Sequence, residues 1–194
     1  MQKIPTLFRR DYSVTPAKVI NVVTPGCEWV INGEGQASEK YDGACCMIRG
    51  GFLYRRYTFR EGKPLQKGLW IPAQPEPDEQ GNWPGWVLVD FKEPADKWYL
   101  DALAYYVADN VLLADGTYEL VGPKVNGNPY SLNKHFLWRH GQDILLTCPR
   151  NFADLEEWLK EIPVEGIVWH NDDGKMAKLK RRDFGLVWPK PRGG

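Results

Sequence analysis

Residues 39–59 read EKYDGACCMIRGGFLYRRYTF and contain the clearest fold signal in the chain. Two runs rich in apolar and aromatic residues, Ala44 to Arg49 and Phe52 to Phe59, flank the pair Gly50-Gly51. Two such runs joined by two glycines are typical of a β-hairpin, because glycine readily adopts the positive φ angles of tight hairpin turns. The sequence therefore predicts a hairpin directly after the polar residues 39–43.

Beyond this hairpin, short runs of β-branched and aromatic residues predict further strands. These strands are expected at Trp86 to Phe91, Thr117 to Val121, Val164 to His170 and Lys175 to Lys180. The polar residues 171–174 (NDDG) predict a turn between the last two strands. Residues 72–84 are rich in proline and acids, and they predict a loop that crosses the surface.

Two segments show the periodicity of amphipathic helices. Pro94 suits a first helical position, and apolar residues follow it at i, i+3, i+4 spacing through Val107. Asn151 suits an N-cap, and the helix after it should end before Pro163. Because predicted strands outnumber helices and hairpins outnumber βαβ units, the sequence favours an α+β fold with mainly antiparallel sheets.

The composition is that of an ordinary globular protein of 194 residues with a formal net charge of zero. Any polyanion site must therefore come from local clustering of cations. One cluster lies in the segment Lys178 to Arg192, which holds six Lys or Arg and one acid, Asp183. The four cysteines form no CxxC motif, which favours reduced thiols and a cytoplasmic location. No apolar run is long enough to cross a bilayer, so we expect no membrane association.

The tetrapeptide KYDG at residues 40–43 contains the first candidate for chemistry, Lys40. A lysine nucleophile must react as the neutral amine, so neighbouring cations and burial have to lower its pKa. The motif KxDG is short and arises often by chance, and an ordinary surface lysine is the alternative interpretation.

Cations suited to this task occur near the C-terminal end. Lys178 and Lys180 are two residues apart on a predicted strand, so they share one face while Ala177 and Leu179 face the other way. Two ammonium groups on one face suit a phosphate and a transition state with additional negative charge. An edge strand protected by lysines is the alternative, and both interpretations stay open.

Two acids stand in strongly apolar strands. Glu165 is expected on the same strand face as Ile167 and Trp169, where it would bind a metal ion, a metal-bound water or a lysine of the following strand. Glu119 lies in the apolar run TYELVGP (117–123) and would accept hydrogen bonds from ribose hydroxyls, or else point outward.

Each signal is weak alone, but their order along the chain is specific. The chain resembles the covalent nucleotidyltransferase superfamily of DNA ligases, RNA ligases and mRNA capping enzymes, which has a set of motifs in a fixed order. The matching features are, in order, KYDG, an arginine on the strand after the hairpin (Arg55), YELVG, VEGIV and KLK. Cys45 stands where DNA ligases and capping enzymes usually have arginine. In this respect the chain resembles the RNA ligase branch of the superfamily. The segment GPKVNGNPYSLNKHFLWRHG (122–141) is similar to small RNA ligases.

The resemblance implies a single adenylyltransferase domain over residues 1–194, with two mainly antiparallel sheets, flanking helices and the ATP site between them. It implies no C-terminal OB or helical domain, since only 14 residues follow Lys180. Lys40 would carry AMP, with Asp42 assisting, and Lys178 and Lys180 would bind the α-phosphate.

The same resemblance assigns the remaining binding residues. Glu39, Arg55 and Glu119 would contact the nucleotide or the RNA end, and Glu165 with Asp42 would hold Mg²⁺ or Mn²⁺. An aromatic ring would stack on adenine, with Phe136 or Tyr130 as candidates and Trp138 and His135 in the same segment.

The implied activity is ATP-dependent joining of RNA 5′-phosphate and 3′-hydroxyl ends through a lysyl-AMP intermediate, which would serve RNA repair without a protein partner. A minimal DNA ligase core and a non-catalytic nucleotide- or RNA-binding module are the alternatives. The basic segment after Lys178, with Phe184 and Trp188 interleaved, would contact the phosphate backbone or else form a solvated tail.

Overall fold

The computed structural model describes residues 3–60 and 70–188. Its strands are β1 (Phe8–Asp11), β2 (Lys18–Val23), β3 (Gln36–Lys40), β4 (Ala44–Arg49), β5 (Phe52–Arg60), β6 (Trp70–Pro72), β7 (Asn82–Leu88), β8 (Gly116–Val121), β9 (Phe136–Arg139), β10 (Gly166–His170) and β11 (Met176–Lys180). Its α-helices are α1 (Glu28–Ile31), α2 (Lys97–Ala108) and α3 (Phe152–Glu161), and short 3₁₀ turns cover Pro94–Asp96 and Arg181–Phe184.

The chain divides into two compact units. We name them by their main sheets: the six-stranded unit (Met1–Lys3 and Asp42–Arg139) and the three-stranded unit (Ile4–Tyr41 and His140–Gly194). Each unit has its own hydrophobic core. The expectation of one adenylyltransferase domain without an OB or helical domain stays a prediction.

The six-stranded unit is an antiparallel sheet with the strand order β6-β7-β5-β4-β8-β9. Helix α2 packs against β8 and β9. Tyr99 and Ala102 of this helix are buried with Cys46, Leu120 and Leu137 of the sheet. One sheet face is therefore covered by α2, and the alternation along each strand decides which side chains meet the helix.

The three-stranded unit is an antiparallel sheet with the order β11-β10-β3, joined by the hairpin β1–β2 and by helix α3. Trp169, Ile167, Ala177 and Leu179 are fully buried and pack with Leu155 of α3, along with other apolar residues of the unit. Asn151 caps α3 by accepting a hydrogen bond from the main-chain N–H of Asp154, as predicted.

The predicted fold class is confirmed at the level of an α+β chain with antiparallel sheets. The hairpin around Gly50-Gly51 is confirmed, and both glycines have positive φ. The longest described helix has 12 residues, and none of the helices in residues 3–60 and 70–188 is long and apolar enough to cross a bilayer.

Several element boundaries were predicted wrongly, among them the start and the end of β7 and the start of β10, which is Gly166 and not Val164. Strand β7 begins at Asn82 and ends at Leu88, so the predicted loop over residues 72–84 already contains its start. The carbonyl of Pro84 accepts a hydrogen bond from the main-chain N–H of Ala73, so Pro84 takes part in the pairing of β7 as an acceptor. Pro94 opens a 3₁₀ turn, and α2 begins three residues later, at Lys97.

Five of the described strands were not predicted from the sequence: β1, β2, β3, β6 and β9. Strand β3 has the polar sequence QASEK, and it is a strand because β10 on one side and residues 143–145 on the other supply its hydrogen bonds. Strand β9 has four residues, of which Leu137 is buried under α2. In both cases tertiary pairing overrides local preference.

Candidate active site

The three-stranded sheet brings Lys40, Glu165 and Lys180 together on one face. Gly166 opens the central strand β10, and its partners in register are Lys40 on β3 and Lys180 on β11. Directly paired residues of antiparallel strands present their side chains on the same face. The two lysines therefore flank a glycine, and a Cβ at position 166 would overlap the main-chain oxygen of Leu179.

Glu165 joins the two lysines. Its Oε2 lies 2.6 Å from Nζ of Lys40, and its Oε1 lies 2.8 Å from Nζ of Lys180. The predicted alternative, a salt bridge to the following strand, is thus confirmed. The predicted orientation is wrong, because Ile167 and Trp169 are fully buried in the core on the opposite face. Glu165 precedes β10, so the alternation of the strand does not fix its direction.

Lys178 completes the cluster on the same face as Lys180, with Ala177 and Leu179 fully buried on the other face, as predicted. Burial lowers the pKa of Lys178 to about 8, and the charges of Lys180 and Lys40 act in the same direction. Burial, and next the charge of Lys40, also lower the pKa of Lys180. Three ammonium groups therefore crowd one face of the sheet, and such a face favours an anionic ligand.

Glu39 points away from this cluster. It pairs with Ile167 in register, so it lies on the sheet face opposite to Lys40. Burial raises the pKa of Glu39 to about 7, and the neighbouring Asp143 acts in the same direction. The structure does not bring Glu39 together with Lys40, and its role in ATP binding stays a prediction.

In the six-stranded unit, the turn Asp42-Gly43 is held by a loop from residue 122 to 135. Nδ2 of Asn126 lies 2.8 Å from Oδ1 of Asp42 and 3.0 Å from the carbonyl oxygen of Gly43, and donates to both. The main-chain N–H of Asp42 donates to the hydroxyl of Tyr130 at 2.6 Å. The sequence analysis missed Asn126. Its signal was the run Asn126-Gly127-Asn128, because asparagine and glycine tolerate the positive φ that all three adopt.

Glu119 is buried in β8, 8% exposed, so the outward-facing alternative is wrong. Its Oε1 accepts a hydrogen bond of 3.1 Å from the main-chain N–H of Gly43. A Cβ at Gly43 would overlap the main-chain oxygen of Leu120 and meet Glu119 Cγ, so the close approach requires glycine there. Glu119 and Asp42 are therefore both linked to one turn.

Arg55 and Arg56 occupy opposite faces of the six-stranded sheet. Arg55 pairs with Cys46 in register, and its Nε lies 2.6 Å from Oδ1 of the buried Asp96, just before α2. Glu119 pairs with Cys45 and thus stands on the other face. The register places Arg55 and Glu119 on opposite faces of the sheet, and their roles in binding the nucleotide or the RNA end stay predictions.

Arg56 stands on the face of Glu119 instead. Its guanidinium carbon lies 4.9 Å from the ring centre of Trp86, its partner in register. Burial lowers the pKa of Arg56, and the thiol of Cys45 acts in the opposite direction, which places that thiol close by. The sequence analysis missed Arg56, although two consecutive arginines on a strand must face opposite sides. Only the register with β4 and β8 shows which one shares the face of Glu119.

The candidate adenine-stacking residues differ in their surroundings. Trp138 is the register partner of Glu119, and its ring centre lies 4.8 Å from that of Tyr130. The ring of Phe136 contacts that of Tyr105 edge to face at 5.3 Å. His135 is buried, and its Nδ1 lies 2.7 Å from a carboxylate oxygen of Asp101, so it fixes the loop to α2. Trp138, Tyr130 and Phe136 all remain candidates for the ring that stacks on adenine.

The predicted metal ligands, Glu165 and Asp42, lie in different units. Both oxygens of Glu165 face lysine ammonium groups at 2.6 and 2.8 Å. A cation bound directly to this carboxylate would be repelled by Lys40 and Lys180. The residues around Glu165 therefore do not fit direct coordination of Mg²⁺ or Mn²⁺, and the chemistry below uses no step through a metal ion.

Comparison with known proteins agrees with the motif order. A sequence model of the RNA ligase 1 family matches residues 109–193. The RNA ligase 1 of Danio rerio is 36% identical, over 79% of this chain and 68% of that protein. The RNA ligase 1 of Rattus norvegicus is 28% identical, over 80% of this chain and 69% of that protein. This chain therefore belongs to the RNA ligase 1 family.

Proposed function

We propose that this protein is an ATP-dependent RNA ligase that joins a 5′-phosphate to a 3′-hydroxyl through an AMP carried on Lys40. The observation that carries the proposal is the cluster on the three-stranded sheet. Lys40 comes from β3, distant in sequence from the hairpin β10–β11, and Glu165 joins it to Lys180 through contacts of 2.6 and 2.8 Å, with Lys178 on the same face. The family relationship supports the same activity.

In the first step, Nζ of Lys40 attacks the α-phosphorus of ATP. An N–P bond forms, and the bond from the α-phosphorus to the pyrophosphate oxygen breaks. The amine must lose a proton before attack, and the Glu165 carboxylate at 2.6 Å is within reach to accept it. Lys178 and Lys180 then stabilise the extra negative charge on the phosphorus oxygens, because they are desolvated and already in place.

In the next steps, an oxygen of the RNA 5′-phosphate displaces Lys40 from the AMP phosphorus. The 3′-hydroxyl then attacks the 5′-phosphorus, AMP leaves, and a phosphodiester bond forms. Most of the acceleration comes from positioning and electrostatics, as is general for phosphoryl transfer. We assign the residues around the Asp42-Gly43 turn, with Glu119 and Arg56, to binding of the nucleotide or the RNA end.

Self-labelling tests the covalent step. The protein is incubated with α-labelled ATP and magnesium, and label that survives denaturation and base but is lost in acid marks the phosphoramidate. We expect label on the wild type and none on Lys40→Ala. Lys175→Ala is the matched control, because Lys175 is an exposed turn residue paired with Asp173, outside the cluster. No label on the wild type would refute the mechanism, and undiminished label on Lys40→Ala would refute the assignment of Lys40.

Sealing assays test the substrate. We expect sealing of 5′-phosphorylated RNA to exceed that of nicked DNA of the same sequence. Preferential sealing of DNA would instead favour the minimal DNA ligase core. Binding of ATP and RNA without any label would favour the non-catalytic module. We also propose a reducing compartment such as the cytoplasm, since none of the four cysteines, Cys27, Cys45, Cys46 and Cys148, forms a disulfide.

A further inference from the structure

The three-stranded unit contains a pocket of about 370 Å³ that the proposed chemistry does not use. The hairpin β1–β2 supplies Arg10 and Ala17 to its lining, and the turn after β11 supplies Arg182, Asp183 and Leu186. Its volume is within the range of about 300–1,000 Å³ that small-ligand pockets occupy. The lining combines two guanidinium groups with apolar walls, and this combination suits a phosphate attached to an organic group.

The acid in this pocket is already engaged. Asp183 is 2% exposed, and its Oδ1 accepts a hydrogen bond of 2.7 Å from Nη2 of Arg10. Its Oδ2 accepts from the main-chain N–H of Lys180 at 2.9 Å. Asp183 therefore fixes Arg10 beside the end of β11, while the adjacent Arg182 is exposed and adds a second cation.

A third cation lies beside the pocket. A Cβ placed on the lining residue Gly185 would lie 2.9 Å from Nζ of Lys18, so this ammonium covers the main chain there. The pocket lining thus holds Arg10 and Arg182 against the engaged carboxylate of Asp183, and beside the pocket Lys18 stands opposite Asp11, its register partner in the hairpin β1–β2. In a chain of zero net charge this is a local excess of positive charge.

The cations of the pocket continue into the lysine cluster. Asp183 accepts hydrogen bonds from Arg10 and from the main-chain N–H of Lys180, and Arg182 follows Lys180 by two residues, so the pocket adjoins the end of β11 that carries Lys178 and Lys180. A series of positive charges therefore extends from Lys40 along the end of β11 to the pocket. A linear polyanion such as a nucleic acid strand matches such a series, because its phosphates repeat at regular intervals.

We infer that this pocket binds a backbone phosphate, with its sugar or base, of the RNA strand whose 5′-phosphate receives AMP. The inference rests on the proposed function, which requires that 5′-phosphate to reach the AMP on Lys40. The next phosphates of the same strand then lie farther along the positive series, where Arg10 and Arg182 offer charge-assisted hydrogen bonds. Leu186 and the 65%-exposed Val187 supply apolar contact for the sugar or base.

Binding of a labelled 5′-phosphorylated RNA oligonucleotide, followed by fluorescence anisotropy, tests the inference. We expect Arg182→Ala to weaken RNA binding about tenfold, as for loss of one charged hydrogen-bonding group. The plot of the logarithm of the association constant against the logarithm of the salt concentration should become less steep by about 0.7, the value for one phosphate contact of a single strand. Ala17→Glu, which places a carboxylate in the pocket from the other element, should weaken binding at least as much.

Arg9→Ala is the matched control, because Arg9 is exposed on the same strand as Arg10 but does not line the pocket. The phosphates of ATP are the other source of the same chemistry, so the affinity for ATP and for pyrophosphate is measured on the same variants. Loss of ATP or pyrophosphate affinity with unchanged RNA affinity would overturn the inference. Unchanged RNA binding in folded Arg182→Ala and Ala17→Glu would overturn it as well.

RNA binding is measured without ATP and without sealing. Absence of self-labelling on Lys40 would thus refute the proposed function while the RNA measurement still decides the role of the pocket.

Discussion

The two units differ in how their charged and polar side chains are arranged. On the three-stranded sheet, Lys40, Lys178 and Lys180 share one face, and the pKa of Lys178 falls to about 8 because burial and like charges disfavour its protonated form. In the six-stranded unit, Asp42 and Glu119 are linked to the turn at residues 42–43 by hydrogen bonds from Asn126 and the Gly43 N–H. The buried charge of Arg55 is compensated by Asp96.

The three-stranded sheet carries charged groups suited to react with an anion, whereas the hydrogen bonds in the six-stranded unit hold a turn in position. An excess of like charge on one face costs stability and is retained where an anion will bind. A network in which each carboxylate has a main-chain or amide donor rigidifies a turn and does not by itself attract an anion. We therefore expect substitutions in the lysine cluster to remove chemistry, and substitutions that loosen the turn at residues 42–43 to change its geometry.

The largest effect is expected from removing one lysine of the cluster. Lys178→Ala and Lys180→Ala should each lower the rate of self-labelling with ATP by about 10²- to 10³-fold, as for loss of one preorganised donor to a transition state. Single-turnover labelling with α-labelled ATP measures this. Lys160→Ala on the exposed surface of α3 is the control. Normal labelling in a folded Lys178→Ala or Lys180→Ala variant would contradict the phosphate-binding role.

Substitution of Arg55 should lower the stability of the protein, whereas substitution of its neighbour Arg56 should weaken ligand binding. Arg55→Ala leaves the carboxylate of Asp96, 1% exposed, without its cation, and should lower the free energy of unfolding by about 3 kcal/mol. Arg56→Ala removes the guanidinium that lies over the ring of Trp86 and should instead weaken nucleotide or RNA binding. Urea denaturation and ATP binding are compared on both variants. If Arg55→Ala and Arg56→Ala lowered the free energy of unfolding equally, the assignment of stability to one sheet face and of binding to the other would be contradicted.

A smaller effect is expected at Asn126. Asn126→Ala removes both hydrogen bonds to Asp42 and Gly43, and a loosened turn should slow self-labelling about tenfold. Asn126→Asp keeps an oxygen but loses the amide donor and adds a like charge beside Asp42, so it should be at least as slow. Asn110→Ala is the control, since Asn110 also has positive φ but lies at the end of α2. Unchanged labelling in Asn126→Ala would argue against a positioning role.

The smallest effect concerns Glu39. Its pKa is about 7 in the folded protein because of burial and of Asp143, against about 4.3 in an unfolded chain. A raised folded pKa means that the folded state binds the proton more tightly, so stability rises as pH falls from about 7 to about 4.5. Above pH 7 the buried carboxylate is ionised and destabilising.

Glu39→Gln should remove this pH dependence and stabilise the protein at pH 8 by about 1 kcal/mol, a value reduced from the full pKa shift because Glu39 is partly exposed. Urea denaturation at pH 5 and pH 8 measures it, with the exposed Glu157→Gln as the control. A variant with the same pH dependence as the wild type would show that Glu39 is not the responsible group.

Elements with strong local signals could be predicted from the amino-acid sequence alone. The Gly50-Gly51 hairpin, the N-cap at Asn151 and the shared face of Lys178 and Lys180 follow from turn chemistry, capping and the period of a strand. The order of motifs along the chain also indicated the RNA ligase family. These features depend on residues that are close in sequence, so they can be recognised without knowledge of the fold.

Which side chains meet depends on how the strands pair and pack in three dimensions. Strand β3 has no apolar pattern, and the alternation within β5 does not say whether Arg55 or Arg56 shares the face of Glu119. Glu165 was expected beside Ile167 and Trp169, but it contacts Lys40 and Lys180, because the residue before a strand is free of its alternation. Register between distant strands is set by the packing of whole sheets, and shifting it by one residue exchanges the two faces.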